Sequence, residues 1–117
     1  CQARIDWVNP DAHIGIVDLK TADSLDAFEF DLRAYGYVHQ LAFYRALVAV
    51  GCGRRLAVHI VAVEKREPFR CGVWRIVPAV LDEAQRDNEQ AMTDLRRCRE
   101  SGAWFTRYES LRLVERL

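Results

Sequence analysis

With 117 residues, half of them hydrophobic, the chain has the length for one domain with a modest core and not the composition of a disordered segment. Its 17 basic residues balance 17 acidic ones, so net charge gives no support for a strongly nucleic-acid-binding surface, although it allows a local basic track. No apolar run approaches a membrane span, and no charged start leads into a hydrophobic segment, so a cytoplasmic protein without a membrane partner is expected.

In chain order, residues 2–8 read as a first strand, closed by the turn signal Asn9-Pro10-Asp11. A second strand runs from Ile14 to Thr21. Asp23-Ser24 offers an N-cap to a helix from Leu25, on which Phe28 and Leu32 share a face. Gly36 breaks that helix from a longer one, Tyr37 to about Val50, which stops at Gly51-Cys52-Gly53. Leu56–Glu64 and Phe69–Val77 are strands joined through the Glu67-Pro68 turn.

Pro78 suits the first turn of a helix. The helix carries Leu81, Ala84, Asn88, Ala91, Leu95 and Cys98 at three- and four-residue steps and ends at Gly102. Trp104, Phe105 and Tyr108 form an aromatic cluster expected to plug the core, and a short last helix runs towards Leu117. The order β-β-α-α-β-β-α-α predicts an α/β fold, a mixed sheet flanked by helices, as a single domain over 1–117. Cys1, Cys52, Cys71 and Cys98 include no CxxC pair, so reduced, mostly buried thiols are expected rather than a metal cluster or a disulfide framework.

The chemistry concentrates in His13–Thr21, HIGIVDLKT. In a strand, Ile16, Asp18 and Lys20 project from one face, and an Asp and a Lys there are costly to bury unless the charge is used. Paired as a hairpin, the first two strands bring Asp6 to Asp18 with Lys20 alongside. Two converging carboxylates suit a hard cation, Mg²⁺ or Mn²⁺, and the ammonium suits the charge that develops on a phosphate. An ordinary ion pair between Asp18 and Lys20 is the plain alternative.

Gln40 and Tyr44 share a helical face and can reach a phosphate or orient the lysine, although Tyr37, Leu41, Tyr44 and Val48 also read as a core stripe. Glu64 ends a strand as Asp18 does, which would let it approach the metal, but it is expected to cap the strand or to pair with Lys65 or Arg66. His59 reads as a satisfied core histidine. Arg54-Arg55, Lys65-Arg66 and Arg96-Arg97 with Arg99 are candidate contacts to a DNA backbone, with a solvated surface as the default.

The segments ARIDWV, IVDLKTA and YGYVHQLAFYRAL, taken in order, resemble the PD-(D/E)XK nuclease superfamily in its RecB-like branch with the QxxxY helix motif. Together with HIVAVEKREPF and the stretch Glu100-Ser101-Gly102-x-Trp104, they are most similar to the RecE-type (exonuclease VIII) domain of phage recombination systems. The resemblance implies that Asp6 and Asp18 are metal ligands, with the Leu19 carbonyl as an extra one. It makes Lys20 the catalytic lysine, supported by Gln40 and Tyr44.

It further implies a Mg²⁺-dependent exonuclease that degrades linear double-stranded DNA from the 5′ end, with a single-strand annealing protein as partner and a homo-oligomeric ring as its assembly. A non-catalytic DNA-binding or assembly module with the nuclease fold, or another RecB-like nuclease, are the alternatives. Ile5 stands where the motif has its proline. The superfamily has a helix and strand upstream of Asp6 that are not in this sequence, so a fragment with an incomplete site is expected.

Overall fold

The computed structural model describes residues 1–116. Its elements are β1 (Trp7–Val8), β2 (Ile16–Ala22), a 3₁₀ turn (Leu25–Ala27) leading into α1 (Phe28–Ala34), α2 (Tyr37–Cys52), β3 (Val58–Glu64), β4 (Cys71–Ile76) and α3 (Pro78–Ser101). The sheet order is β1-β2-β3-β4, with β1 and β4 antiparallel to their neighbours and β2 parallel to β3. A parallel pair needs a crossover, and α1 and α2 form it. The fold is the mixed sheet with flanking helices that the sequence predicts.

The strands bury every second residue. Ile16, Ala22, Val58, Ile60, Ala62 and Ile76 meet Phe28, Leu32, Leu41, Ala42, Leu81 and Ala84 of the helices in one core. The opposite face of the sheet leaves Trp7, Leu19 and Val73 exposed. Asp18 and Lys20 therefore lie on the covered face, under the crossover helices.

Local chemistry sets the element ends. Ser24 caps the 3₁₀ turn by accepting from Asp26 N–H at 3.2 Å. Gly36, at φ +68°, separates α1 from α2 and fixes the direction in which α2 starts. Gly15, at φ +64°, lets β2 begin against the β3 lead-in, since a Cβ there would lie 2.2 Å from the Ala57 carbonyl oxygen.

Several elements are shorter than the sequence predicts. The first strand is Trp7–Val8, not 2–8, because its next backbone partner is replaced by a side chain. The register Trp7↔Val17 would continue to Ile5↔Leu19, yet the Leu19 N–H goes to Asp6 Oδ2 at 2.9 Å. β2 starts at Ile16 rather than Ile14 because Ile14 and Gly15 are spent in a turn that returns their N–H groups to Asp11 O. β3 starts at Val58 rather than Leu56, and β4 loses its outer residues to a turn and a cap: Phe69 has φ +57°, and Val77 is the N-cap of α3.

The short last helix is absent: residues 103–116 hold no helix, and Leu117 lies outside the described residues. Trp104, Phe105 and Tyr108 do not plug the core but are 60%, 77% and 74% exposed. The cause is the length of α3, whose 24 residues span about 36 Å and carry the chain past the sheet before Gly102 turns it. Only Leu81 and Ala84 of α3 are buried, so the apolar stripe continues onto an unpacked half-helix. The cysteines are unpaired among the described residues, but Cys1, Cys52 and Cys71 are exposed rather than buried.

Candidate active site

Lys20 is the hub. Its Nζ lies 2.8 Å from Asp18 Oδ2 and donates to Gln40 Oε1 at 3.0 Å. The Gln40 amide nitrogen in turn donates to the Tyr44 hydroxyl at 2.9 Å. The chain of contacts runs from the strand to the helix because Asp18 and Lys20 share the covered face of β2, while Gln40 and Tyr44 are one turn apart on α2. Strand and helix periodicity each predict half of this arrangement, and the Lys20–Gln40 bond joins the halves.

Asp6 completes the acidic part. By accepting the Leu19 N–H, its carboxylate is held beside Asp18. In a strand the N–H and C=O of one residue face the same edge. The Leu19 carbonyl therefore faces the edge where Asp6 stands. Asp18 is only 3% exposed, and this burial pushes its carboxyl above the usual range. Lys20 opposes that shift, and the neighbouring negative charge of Asp6 adds to it.

The donor set fits a hard divalent cation in its chemistry. Asp18 Oδ2 is buried, and its charged neighbour is the Lys20 ammonium at 2.8 Å. A buried carboxylate with a second one beside it attracts positive charge, and one ammonium does not balance two carboxylates. The set is small: among the described residues no group of three or more His, Cys, Asp or Glu side chains converges.

Other sequence candidates separate from this site. Glu64 does not pair with Lys65 or Arg66. Its two oxygens accept from Arg70 at 2.7 and 2.8 Å, and Oε2 also takes the Leu25 N–H at 3.0 Å. Arg70 above all, then the Leu25 N–H, holds the Glu64 carboxyl down at about 2. Glu64 thus ties the β3 end to the start of the crossover. His59 is half-buried rather than core, on the open face, with its ring Nδ1 2.8 Å from Ile14 O.

The basic pairs divide by position. Arg54 and Arg55 precede β3, at the end of the β2/β3 ladder away from Lys20, where Arg54 donates to Pro10 O and Arg55 pairs with Asp82. Lys65 and Arg66 follow β3, at the same end as Lys20, and both are exposed. Lys65 makes a loose 3.6 Å pair with Asp23. Arg96, Arg97 and Arg99 lie exposed on the distal half of α3.

Two residues near the site escape the sequence reading. The Tyr37 ring centroid is 4.5 Å from Lys20 Nζ, a cation–π distance. Its spacing from Gln40 and Tyr44, three and seven residues, carries the signal, but the same spacing describes a core stripe. Arg45, next to Tyr44, is 3% exposed and ties α2 to α3 through Asp82 at 2.5 Å. Nothing in the sequence pattern marks it, because a buried arginine on a helix has no periodicity of its own.

The family described as a PDDEXK-like domain of unknown function (DUF3799) matches residues 1–115. No curated protein matches the chain.

Proposed function

The chain belongs to the PDDEXK-like family, and on that premise we propose that it is a metal-dependent nuclease that hydrolyses the phosphodiester bonds of DNA. More narrowly, it is an exonuclease acting on linear double-stranded DNA from the 5′ end, in recombination. The observation that carries this reading is the meeting of Asp6, Asp18 and Lys20 with Gln40 and Tyr44 on the covered face of the sheet. Asp6 fills the place of the motif's first acid, and Asp18-Leu19-Lys20 that of its acid-x-lysine pair.

Asp6 and Asp18, with the Leu19 carbonyl, are the groups that would hold Mg²⁺ or Mn²⁺. Such an ion polarises a phosphate and lowers the pKa of water bound to it. The chain's own residues do the rest. The Lys20 ammonium donates to the attacking water and to the phosphate oxygen on which negative charge builds. Gln40 fixes its direction through the 3.0 Å hydrogen bond. Because Tyr44 accepts from Gln40, its own O–H is free to donate towards a phosphate. Lys65 and Arg66, exposed at the same end of the sheet, are the residues that would meet the DNA backbone.

The test is digestion of end-labelled linear DNA with Mg²⁺ or Mn²⁺. Asp18→Asn is expected to lower cleavage at least ~100-fold with the fold intact. Lys20→Ala is expected to lower the single-turnover rate by a similar factor while Mn²⁺ affinity, read by calorimetry, changes little. Full activity in Asp18→Asn removes Asp18 from the site. The label's position reads polarity directly.

A non-catalytic DNA-binding module is the second reading, favoured by the small donor set. DNA binding without cleavage, together with no Mn²⁺ uptake that depends on Asp6 and Asp18, would establish it. A homo-oligomer and a single-strand annealing protein are the partners this proposal names, to be read by light scattering and co-purification.

A further inference from the structure

Among the described residues, the Lys20 ammonium meets three side chains of two kinds. Asp18 is anionic and is itself a proposed cation ligand; Gln40 and Tyr37 are neutral. An ammonium held chiefly by Asp18 would lose its hold when a cation drew on the same carboxylate, since two positive charges then compete for one anion. The neutral neighbours do not have that conflict. Gln40 offers one hydrogen bond, and the Tyr37 ring lies over the ammonium with its centroid 4.5 Å from Nζ. The ring's negative face attracts a cation without neutralising it, so the charge stays available to a phosphate.

We propose that Tyr37 is a positioning residue: its ring keeps the Lys20 ammonium in place beside Gln40 when the charge of Asp18 is given up to a bound cation. The fold supports the placement. Gly36, in the left-handed conformation, starts α2 so that Tyr37 is its first residue. Tyr37, Gln40 and Tyr44 then share one face of that helix at three- and seven-residue steps. Tyr37 is half-buried and packs against the core, and its ring also leans on Tyr35 at 5.7 Å between centroids. Lys20 is enclosed likewise, its side chain only 17% exposed. The geometric claim stands on these contacts, and its purpose in catalysis rests on the nuclease reading.

The two parts are tested separately. The chain has two lysines, Lys20 and Lys65, so ¹³C-lysine labelling gives two sets of side-chain signals, with exposed Lys65 as the internal reference. A ring over the ammonium shifts the Lys20 ε-methylene protons upfield of those of Lys65. That shift is expected in the wild type, in Tyr37→Phe, which keeps the ring face, and in Asp18→Asn, which removes the charge a cation would take. It is expected to vanish in Tyr37→Leu. Coincident Lys20 and Lys65 signals in the wild type, or loss of the shift in Asp18→Asn, overturn the proposal. Both of these overturning results are read with an intact Tyr37, so a Tyr37→Leu protein that fails to fold leaves the test standing.

In the kinetic arm, Tyr37→Leu lowers the single-turnover rate about tenfold, Tyr37→Phe keeps it within about twofold, and the Mn²⁺ dissociation constant stays within about twofold in both. An unchanged rate in Tyr37→Leu also overturns the proposal. A wild type with the upfield shift but no cleavage defeats the nuclease reading alone and supports the hold of Tyr37 on Lys20.

Discussion

The Asp6 carboxylate holds the fold and, in the proposed nuclease, the cation as well. It takes the Leu19 N–H that a longer β1 would have taken and so stands next to Asp18. Asp6→Asn keeps an acceptor for that N–H but loses the charge, whereas Asp6→Ala loses both. Asp6 is exposed, so either change is expected to cost less than about 1.5 kcal/mol in chemical denaturation. Both are expected to weaken Mn²⁺ binding more than about tenfold by calorimetry. A variant that binds Mn²⁺ as the wild type does takes Asp6 out of the ligand set.

Glu64 is the opposite case, an acid whose partners are an arginine and a backbone N–H. Its carboxyl is lowered from 4.5 to about 2, mainly by Arg70. A group with a depressed native pKa stabilises the fold above its unfolded value and loses that contribution as pH falls through the native value. The stabilisation from Glu64 is therefore complete above 4.5 and gone below about 2. The melting temperature of Glu64→Gln, measured across that interval, is expected to lie below the wild type at the upper end and to converge with it at the lower. A constant difference across the interval would contradict the assigned partner.

At the level of elements, the join between β2 and the β3 lead-in has the least slack. Gly15 combines a φ of +64° with a virtual Cβ 2.2 Å from Ala57 O and 2.8 Å from Ala57 N. Both atoms are main chain, and Ala57 is held there by bonds to Ala12 and Ile16, so neither can yield as a side chain would. Gly15→Ala is expected to cost more than about 2 kcal/mol in urea denaturation. Gly36→Ala meets nothing within 4 Å and is expected to cost about 1 kcal/mol for its φ of +68°. Equal costs would place the strain in backbone conformation rather than in the close approach.

The elements also show what the sequence could carry. Alternation in β2 and the four-residue step in α2 put Asp18 with Lys20 and Gln40 with Tyr44, and the site forms where those two faces meet. The extent of β1 was not legible, because a side chain stands in for a backbone partner and periodicity records only the backbone. The partner of Glu64 was hidden for a related reason. Lys65 and Arg66 adjoin it in sequence, but the turn brings Arg70 back onto it from six residues on. Tyr37 was visible only as one more aromatic on a buried stripe, since packing against the core and covering a lysine need the same spacing.

At the scale of the molecule, the chain is more extended than its length requires. Its radius of gyration is 17.8 Å, against about 13 Å for a compact chain of this size. α3 packs through Leu81 and Ala84, pins to α2 through Asp82 and Asn88, and then leaves the body with Met92 and Leu95 exposed, carrying the segment after Gly102 away from the sheet. The segment after Gly102 makes its side-chain hydrogen bonds within itself, Thr106 with Glu109 and Arg112 with Arg107, and its large apolar side chains face solvent. Aromatic residues stabilise a fold only by leaving water, and Trp104, Phe105 and Tyr108 do not. Ending the chain at Gly102 is therefore expected to change the unfolding free energy by less than about 1 kcal/mol. It should also bring the radius of gyration, by small-angle scattering, closer to the compact value. A loss of several kcal/mol on that truncation would mean that the aromatic cluster packs against the domain after all, and that the core extends beyond the sheet and the first half of α3.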